Sequence, residues 1–173
     1  QTVSALTPWN YARHRGWPIG KRYNDSTGPD YTYTPAGRLR TRTWARGLPT
    51  TYETNAFGET VRVSYSDGPS GVTNVFDRLG RLVASTNEAC GLTRTFNPAG
   101  TLLSESFDGV TVTNILDSRL RRTQCDILDA QSSVLNSIAF GYNAASRLQT
   151  VACGAASASY NYLANSALPE QIT

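Results

Sequence analysis

A short pattern recurs along the chain at a nearly constant step, and this recurrence limits the possible folds more than any other feature. The pattern is an aromatic residue, a turn-forming residue, two variable residues, Gly, Arg and Leu. It is complete at residues 33–39 and 76–82, lacks the Arg at residues 96–102, and has Ser in place of Gly at residues 142–148. A fixed period of this kind is typical of repeat proteins, in which each unit needs its neighbours to bury its hydrophobic face.

Three degenerate copies occur where the period places them. The copy at residues 54–58 begins with Thr, the copy at 116–121 lacks the Gly, and the copy at 162–168 lacks the Asp and the Arg. The seven copies start at residues 33, 54, 76, 96, 116, 142 and 162. The longest step contains an insertion-like stretch, Ile127 to Val134. Seven copies at so regular a step indicate a true repeat.

Each residue type in the pattern helps to reverse the chain. The aromatic residue ends one strand with a large apolar side chain. Asp or Asn opens a turn by accepting hydrogen bonds from its own backbone, and a following Pro fixes φ at about −65°. Gly adopts a positive φ where the chain turns back, and Leu starts the returning strand. Arg is expected to donate to the carbonyls or the Asp of the neighbouring hairpin.

The segments between these turns alternate apolar and polar residues, as half-buried strands do. Residues 61–65, 92–96 and 110–113 are examples. A second set of turn sequences lies between the pattern copies, at residues 46–47, 67–69, 90–91, 108–109 and 153–154. Two turns per unit give two strands per unit, so each unit forms one hairpin. We therefore predict an all-β fold, an array of antiparallel β-hairpin repeats that forms a curved or spiral continuous sheet.

The repeat also predicts which residues define the structure and how the chain is divided. The repeat-defining residues are Tyr33, Gly37, Arg38, Leu39, Gly58, Phe76, Asp77, Gly80, Arg81, Leu82, Phe96, Asn97, Gly100, Leu102, Asp117, Arg121, Tyr142, Asn143, Arg147, Leu148 and Tyr162. Residues 31–173 are expected to form about seven hairpin repeats. Residues 1–30 fit less well and are expected to be a diverged N-terminal repeat or a lead-in, with a hairpin at residues 17–23 and its far turn at residues 25–28.

The pattern copies at residues 31–39 and 76–82 resemble the unit of YD-repeat, or Rhs, proteins. This family includes the shells of bacterial toxin complexes, Rhs polymorphic toxins and the teneurin ectodomains. The resemblance covers residues 31–168. It implies a hairpin sheet that winds into a spiral around a hollow chamber, which in the toxin members holds a C-terminal effector. Rhs shells close with an autoproteolytic Asp-Pro-x-Gly segment, and this chain has no such run, which agrees with an internal fragment. The sequence leaves open whether Gln1 is a true terminus.

Composition narrows the kinds of chemistry that the chain can perform. Charged residues make up 17% of the chain and the net charge is +3, with Arg spread along the sequence, so we expect no nucleic-acid partner. No apolar stretch is long enough to span a bilayer, so we expect no membrane insertion by this segment. The three cysteines, Cys90, Cys125 and Cys153, lack the close spacing of a zinc site, and the sequence leaves open whether two of them pair.

The sequence offers no arrangement of residues that is typical of an active site. His14, the single histidine, lies between Arg13 and Arg15 and has no carboxylate beside it in the sequence, so it is a poor candidate for a general base. Asp77 and Asp117 occupy the turn-opening position of the repeat. We find no phosphate-binding loop, nucleophile elbow or metal cluster. The chain is therefore predicted not to be an enzyme, and to need no cofactor and no metal.

Two functions fit the repeat, and the sequence leaves both open. The first is a non-catalytic structural segment of a larger secreted or surface protein, bacterial by its resemblance, that helps to enclose or display a toxin-like polypeptide and packs against neighbouring repeats. The second is an adhesion or fibre module that binds glycans or proteins at the cell surface. A row of exposed aromatic rings would favour the second, whereas rings stacked across neighbouring hairpins would favour the first. The rings in question are Trp9, Trp17, Trp44, Tyr52, Tyr65 and Tyr160.

Overall fold

A computed structural model describes residues 9–68 and 71–173, which contain sixteen β-strands and no helix. The chain divides into two compact units, Gln1–Cys90 and Gly91–Thr173. The strands of the first unit are β1 (Trp9–Tyr11), β2 (Pro18–Lys21), β3 (Asp30–Tyr33), β4 (Leu39–Thr43), β5 (Pro49–Thr54), β6 (Thr60–Tyr65), β7 (Val72–Phe76) and β8 (Leu82–Thr86). Those of the second are β9 (Gly91–Phe96), β10 (Leu102–Phe107), β11 (Val110–Leu116), β12 (Arg122–Leu128), β13 (Val134–Tyr142), β14 (Leu148–Cys153), β15 (Ala156–Tyr162) and β16 (Pro169–Ile172).

Within each unit, every strand pairs antiparallel with the strand that precedes it, and the order in the sheet is the order in the sequence. Such pairing needs only short turns, which the Gly-, Asn- and Asp-rich sequence supplies. The predicted all-β array of antiparallel hairpins is confirmed. Among the described residues, no helix has the length and apolar character that a membrane span requires.

The turns are of two kinds. Near turns carry the repeat pattern and join the two strands of one hairpin, as at residues 34–38 and 77–81. Far turns join successive hairpins. One of them is the two-residue turn of Asp108 and Gly109, whose φ values of 48° and 80° match the twist of a tight hairpin. The predicted far turn at residues 67–69 ends at Pro69, which is outside the described residues, as is Gln1.

The insertion-like stretch Ile127 to Val134 belongs to the sheet. Strand β12 continues to Leu128, β13 begins at Val134, and residues 129–133 form a far turn between them. The extra residues therefore lengthen a hairpin connection and its strands, and they do not interrupt the array.

The strands alternate between two chemically different faces. Residues directly opposite each other on paired strands share a face, so the register places aliphatic and aromatic side chains together on one side, here called the aromatic face. In the first unit this face carries Tyr31, Tyr52, Val63, Tyr65, Val72 and Phe76. In the second unit it carries Leu92, Phe107, Val112, Ile127, Ile138, Phe140 and Val151.

The opposite side, here called the hydroxyl face, is dominated by Thr and Ser. Its members in the first unit include Thr32, Thr41, Thr51, Ser64, Thr73 and Thr86. Its members in the second unit include Thr93, Thr95, Ser104, Ser106, Thr113, Ser137, Thr150 and Ser159. Hydroxyls of paired residues bond across strands, as at Thr95 and Ser104, whose oxygens are 2.6 Å apart. These pairs stabilise neighbouring strands without any hydrophobic burial.

Neither unit contains a hydrophobic core. Among the described residues, only Gly20, Pro29, Thr50 and Cys125 are buried. The side chains of the aromatic face are mostly half-buried against one another, because a single layer of strands leaves one side of each ring open to solvent. The fold is therefore held by backbone pairing, turn hydrogen bonds and side-chain contacts between hairpins.

The three cysteines are free thiols. In the second unit, Cys125 and Cys153 are both opposite Ile138, one on each side of β13. They are therefore two strands apart, about 10 Å, which is beyond the Cα separation that a disulfide allows. This geometry excludes a Cys125–Cys153 disulfide, one of the pairings that the sequence left open.

Candidate functional site: the row of near turns

The repeat-defining residues occupy equivalent places in successive hairpins. The residue at the first position of each copy ends a strand, and these residues are Tyr33, Thr54, Phe76, Phe96, Leu116, Tyr142 and Tyr162. The Leu at the seventh position begins the returning strand in four copies, namely Leu39, Leu82, Leu102 and Leu148. The near turns between them hold the remaining residues of the pattern, and the polar chemistry of the repeat is concentrated there.

One frame of hydrogen bonds builds the first six near turns, as the copy at residues 77–81 shows. The backbone N–H of Asp77 donates to the carbonyl of Arg81 and the N–H of Gly80 donates to the carbonyl of Asp77, both at 3.0 Å. The Asp77 Oδ1 accepts from the N–H groups of Leu79 at 2.8 Å and Arg81 at 3.0 Å. The equivalent side-chain oxygens that accept from the backbone belong to Thr34, Asn55, Asn97, Asp117 and Asn143.

The fourth residue of the turn has a positive φ, which explains the recurring Gly. The angle is 82° at Gly37, 74° at Gly80 and 86° at Gly100. Where the Gly is lost, the backbone keeps the same conformation, with φ of 61° at Leu120 and 62° at Ser146. The turn frame therefore dictates the conformation, and the degenerate copies adopt it at a cost in strain.

Replacing Leu120 with Gly is expected to stabilise the second unit by about 0.5 kcal/mol. The left-handed conformation costs a branched side chain about 1–2 kcal/mol, and the greater freedom of Gly in the unfolded chain returns part of that gain. Urea unfolding followed by circular dichroism measures the change. The L120A variant keeps a Cβ and should gain less; equal stability of L120G and L120A would contradict the strain explanation.

The residue that opens the turn decides where its Arg binds. In the copies that open with Asp, Arg81 and Arg121 pair with Asp77 and Asp117 of their own turns, each with a guanidinium N–O distance of 2.6 Å. The reason is that a carboxylate leaves a second, charged oxygen for the guanidinium after its first oxygen caps the backbone.

In copies that open with Thr or Asn, the Arg extends to the next near turn. Arg38 donates to the carbonyls of Asn55 at 2.6 Å and Ala56 at 3.1 Å, and Arg147 donates to the carbonyl of Ser166. The turn-opening Thr or Asn has no charged oxygen to retain the guanidinium. The predicted donation from Arg to the carbonyls of the neighbouring hairpin is thus confirmed at these two positions.

The Arg side chains also cover the rings of the following hairpin. The guanidinium carbon of Arg121 lies 4.5 Å from the ring centre of Tyr142, and Arg147 lies 4.5 Å from that of Tyr162. A guanidinium in this position is attracted by the ring face and shields it from water. Each turn therefore helps to fix the hairpin after it, as the nearest-neighbour character of repeat proteins requires.

The Arg partners lower the pKa of Asp77 and Asp117 below the usual value of a carboxyl group, chiefly through the side-chain hydrogen bonds from Arg81 and Arg121. Because the pKa is lower in the folded chain, this stabilisation is complete above about pH 4 and is lost as the pH falls through the folded-state pKa. We expect the melting temperature to fall in this acidic range, and to fall less steeply in the D77N/D117N variant. Melting curves at a series of pH values test this; parallel curves for both proteins would contradict it.

The ladders between hairpins stop before they reach the near turns, and in five of the copies a side chain closes the gap. Strands β12 and β13 pair from Gln124 and Ala139 toward the far turn, which leaves the carbonyl of Arg122 outside the ladder. The hydroxyl of Tyr142 donates to that carbonyl at 2.8 Å. An unpaired carbonyl costs free energy when it loses water, so this bond compensates for the divergence of the strands.

The donor at this gap is either the Tyr at the first position or an Asn two residues before it. Tyr33 donates to the carbonyl of Pro18 at 2.7 Å and Tyr162 to that of Leu148 at 2.5 Å. Where the first position is Phe76 or Leu116, which have no hydroxyl, the donor comes from another residue. The side-chain amide of Asn74 then donates to the carbonyl of Thr60 at 2.9 Å, and that of Asn114 donates to the carbonyl of Leu102 at 3.2 Å.

Burial raises the pKa of the Tyr33 hydroxyl above its usual range, so it stays protonated and able to donate. Sequence reasoning missed this series of donors. The exchange of Tyr at the first position for Asn two residues earlier was visible in the repeats, but only the structure shows that both reach the same carbonyl.

The near turns contain acids and bases, and the contacts of their carboxylates lie within the fold. The carboxylates of Asp77 and Asp117 are engaged by backbone N–H groups and by Arg. His14 is exposed in the turn between β1 and β2. In the described part of the chain, no three His, Cys, Asp or Glu side chains group as a metal ion would require. What this arrangement does is hold successive hairpins in register.

No protein-family model matches the sequence, and no curated protein matches it. The fold is nevertheless shared with solved structures of TcdB2-TccC3-Cdc42 (TM-score 0.68), TcdB2-TccC3 (0.67) and TcdB2-TccC3-TEV (0.64), each 13% identical in sequence. The matches cover 94%, 94% and 89% of this chain, which spans about a tenth of the length of those chains. The chain therefore has the fold of a segment of the TcdB2-TccC3 structures, the hairpin-repeat fold that the resemblance to YD-repeat proteins implies.

Proposed function

We propose that this chain is a non-catalytic arc of a larger, secreted hairpin-repeat protein, in which it forms part of a wall around a polypeptide such as a toxin. The observation that carries the proposal is the absence of a core from a well-paired sheet in the described residues. A domain that acts alone buries its apolar side chains, whereas an arc of a larger sheet obtains its support from neighbouring repeats. The likeness to a tenth of the TcdB2-TccC3 chains supports a segment of a longer protein.

Exposed apolar side chains add to this support. Phe57 and Leu79, at the tips of successive near turns, are 88% and 73% exposed, and Ile172 on the terminal strand β16 is 60% exposed. Within residues 9–68 and 71–173, strand β16 pairs only with β15. An unpaired strand edge with apolar side chains is a template for further strands.

Self-association of the 173-residue chain tests the proposal. We expect the isolated chain to form concentration-dependent oligomers through its strand edges, measured by light scattering after size-exclusion chromatography. The I172K variant should weaken association, because Lys on an edge strand opposes pairing. The matched V75K variant carries the same change on the interior strand β7 and should not weaken association. A sharply monomeric chain with high stability would contradict the arc.

The size of the natural product provides a second test. An antibody raised against this chain should detect a protein much larger than 18.8 kDa in material from the natural source. Protease treatment of that product should leave an enclosed polypeptide intact until the wall is unfolded. Digestion of all parts at the same rate would contradict enclosure.

A further inference from the structure

The side chain of Asn136 contacts the backbone nitrogen that follows it in the chain. Asn136 lies in β13, and its Oδ1 accepts a hydrogen bond from the N–H of Ser137 at 2.9 Å. The same oxygen accepts from the thiol of Cys153, whose Sγ is 3.0 Å away. Asn136 is exposed, and Ser137 and Cys153 are half-buried. These three residues, here called the Asn136 site, hold a carboxamide against a nitrogen of its own backbone.

The pairing of β13 with its neighbours explains why this nitrogen bonds to a side chain. The ladder between β13 and β14 begins at the pair of Ile138 and Cys153, so Ser137 lies one residue beyond its end. On the other side, the register between β13 and β12 shifts immediately after the pair that contains Asn136. The hydroxyl of Ser137 is anchored on the opposite face, where it donates to Asp126 Oδ1 at 2.6 Å. The Ser137 nitrogen is therefore fixed in place beside the Asn136 carboxamide.

We propose that Asn136 is a site of self-modification, at which the backbone nitrogen of Ser137 attacks the side-chain carboxamide. A bond forms between that nitrogen and Cγ, the bond between Cγ and the side-chain nitrogen breaks, and the proton of Ser137 leaves with the released ammonia. The product is a cyclic succinimide, which a water molecule opens to Asp or isoAsp. A nucleophile held in contact with its target reacts faster than one that is free to move away. Either product adds a carboxylate to the aromatic face, opposite Ile127. This modification is independent of the proposed wall function.

The thiol of Cys153 assists at the oxygen on which negative charge develops. When the nitrogen adds to Cγ, the C=O bond of the carboxamide opens and Oδ1 becomes anionic. A donor already aimed at Oδ1 stabilises this intermediate more than it stabilises the neutral amide. Cys153 is a free thiol, and it keeps its hydrogen bond to Oδ1 when the N–H of Ser137 is lost to the reaction. The Asn136 site therefore combines a fixed nucleophile with a donor for the developing charge.

A second Asn-Ser pair, at Asn165 and Ser166, provides a comparison within the same chain. Asn165 is exposed, as Asn136 is, and the small Ser that follows each Asn leaves its backbone nitrogen accessible. The N–H of Ser166 donates to the carbonyl of Leu163 at 3.1 Å, inside the last near turn. This bond commits the Ser166 nitrogen to the turn. The two pairs share a sequence and differ in geometry, so Asn136 should react while Asn165 is protected.

Peptide mapping of the 173-residue chain after incubation in neutral buffer tests the proposal. Mass spectrometry of the digested protein detects the exchange of an amide for an acid, and an isoaspartyl methyltransferase labels the isoAsp that forms. We expect Asn136 to deamidate at least about tenfold faster than Asn165 in the folded chain. In guanidinium chloride the two rates should agree within about threefold, because neither pair then has a fixed geometry. Equal rates in the folded chain, or an unmodified Asn136, would overturn the proposal.

Three cysteine variants isolate the contribution of the thiol. C153A removes the donor and should slow the deamidation of Asn136 by about two- to tenfold, the effect of one neutral hydrogen bond. C153S keeps an O–H donor and should react within about twofold of the wild type. C90A removes a thiol from the other unit and should leave the rate unchanged. Circular dichroism confirms the fold of each variant. Equal rates in C153A and C90A would overturn the role of Cys153.

Discussion

Replacing Gly28 with Ala is expected to destabilise the first unit by at least about 3 kcal/mol. The φ of Gly28 is 153°, a conformation essentially confined to Gly. A Cβ at this position would lie 1.8 Å from the carbonyl oxygen of Lys21 and 2.8 Å from its carbonyl carbon. Because the obstruction is backbone, relief requires the β2–β3 connection to move, and with it the hydrogen bond from Lys21 N–H to the Pro29 carbonyl.

A matched substitution separates this clash from the strain of a positive φ alone. Gly47 has a φ of 85°, and a Cβ added there would meet no atom within 4 Å, so G47A should cost about 1 kcal/mol. Both free energies come from urea unfolding followed by Trp fluorescence, since Trp9, Trp17 and Trp44 all belong to the first unit. If the losses in free energy of unfolding of G28A and G47A differ by less than about 0.5 kcal/mol, the close approach of the added Cβ to Lys21 does not destabilise the fold.

The second large effect is expected at Asp129, where D129A should destabilise the second unit by about 2 kcal/mol. Asp129 Oδ1 accepts from the N–H groups of Gln131 at 2.9 Å and Ser133 at 2.8 Å. Asp129 also repeats the backbone frame of the near turns, since its N–H donates to the Ser133 carbonyl and its carbonyl accepts from Ser132, both at 3.0 Å. Removing the side chain leaves both turn N–H groups without an internal partner.

The D129N variant is the control, because Asn143 fills the same place in a near turn and its Oδ1 accepts from Arg147 N–H at 3.0 Å. We expect D129N to retain most of the stability and D129A to lose it, in urea unfolding followed by circular dichroism. Amide exchange at Gln131 and Ser133 should accelerate in D129A alone. Equal losses in the two variants would show that the charge, and not the capping oxygen, stabilises this turn.

Asp129 also shows where the sequence pattern is misleading. The stretch Ile127 to Val134 interrupts the period and has no aromatic residue and no Gly, so its sequence has the character of an insertion. Its turn nevertheless uses the same five-residue frame, with Ser132 at a φ of 63° in the place of Gly. A Ser at a positive φ cannot be recognised from a sequence pattern, because the strands on either side of the turn impose this conformation.

The hydrogen bonds of the turn residues give them a structural role. The sequence predicts that Tyr33, Phe76, Phe96 and Tyr142 each precede a reversal, and the structure places each at the end of its strand. The functional role of the repeat-defining residues stays a prediction. The division of the chain into residues 1–30 and 31–173 also stays a prediction.

By itself the sequence determined the hairpin array, because each turn is closed by residues within five positions of one another. Local chemistry of this kind, an Asp, Asn or Thr oxygen capping the backbone and a Gly at a positive φ, is encoded where it acts. Only the tertiary structure decided what passes between hairpins: which carbonyls Arg38 reaches, and which donor closes each gap. Those contacts depend on strand register, which is set jointly by two turns and two strands and so cannot be read from any single segment.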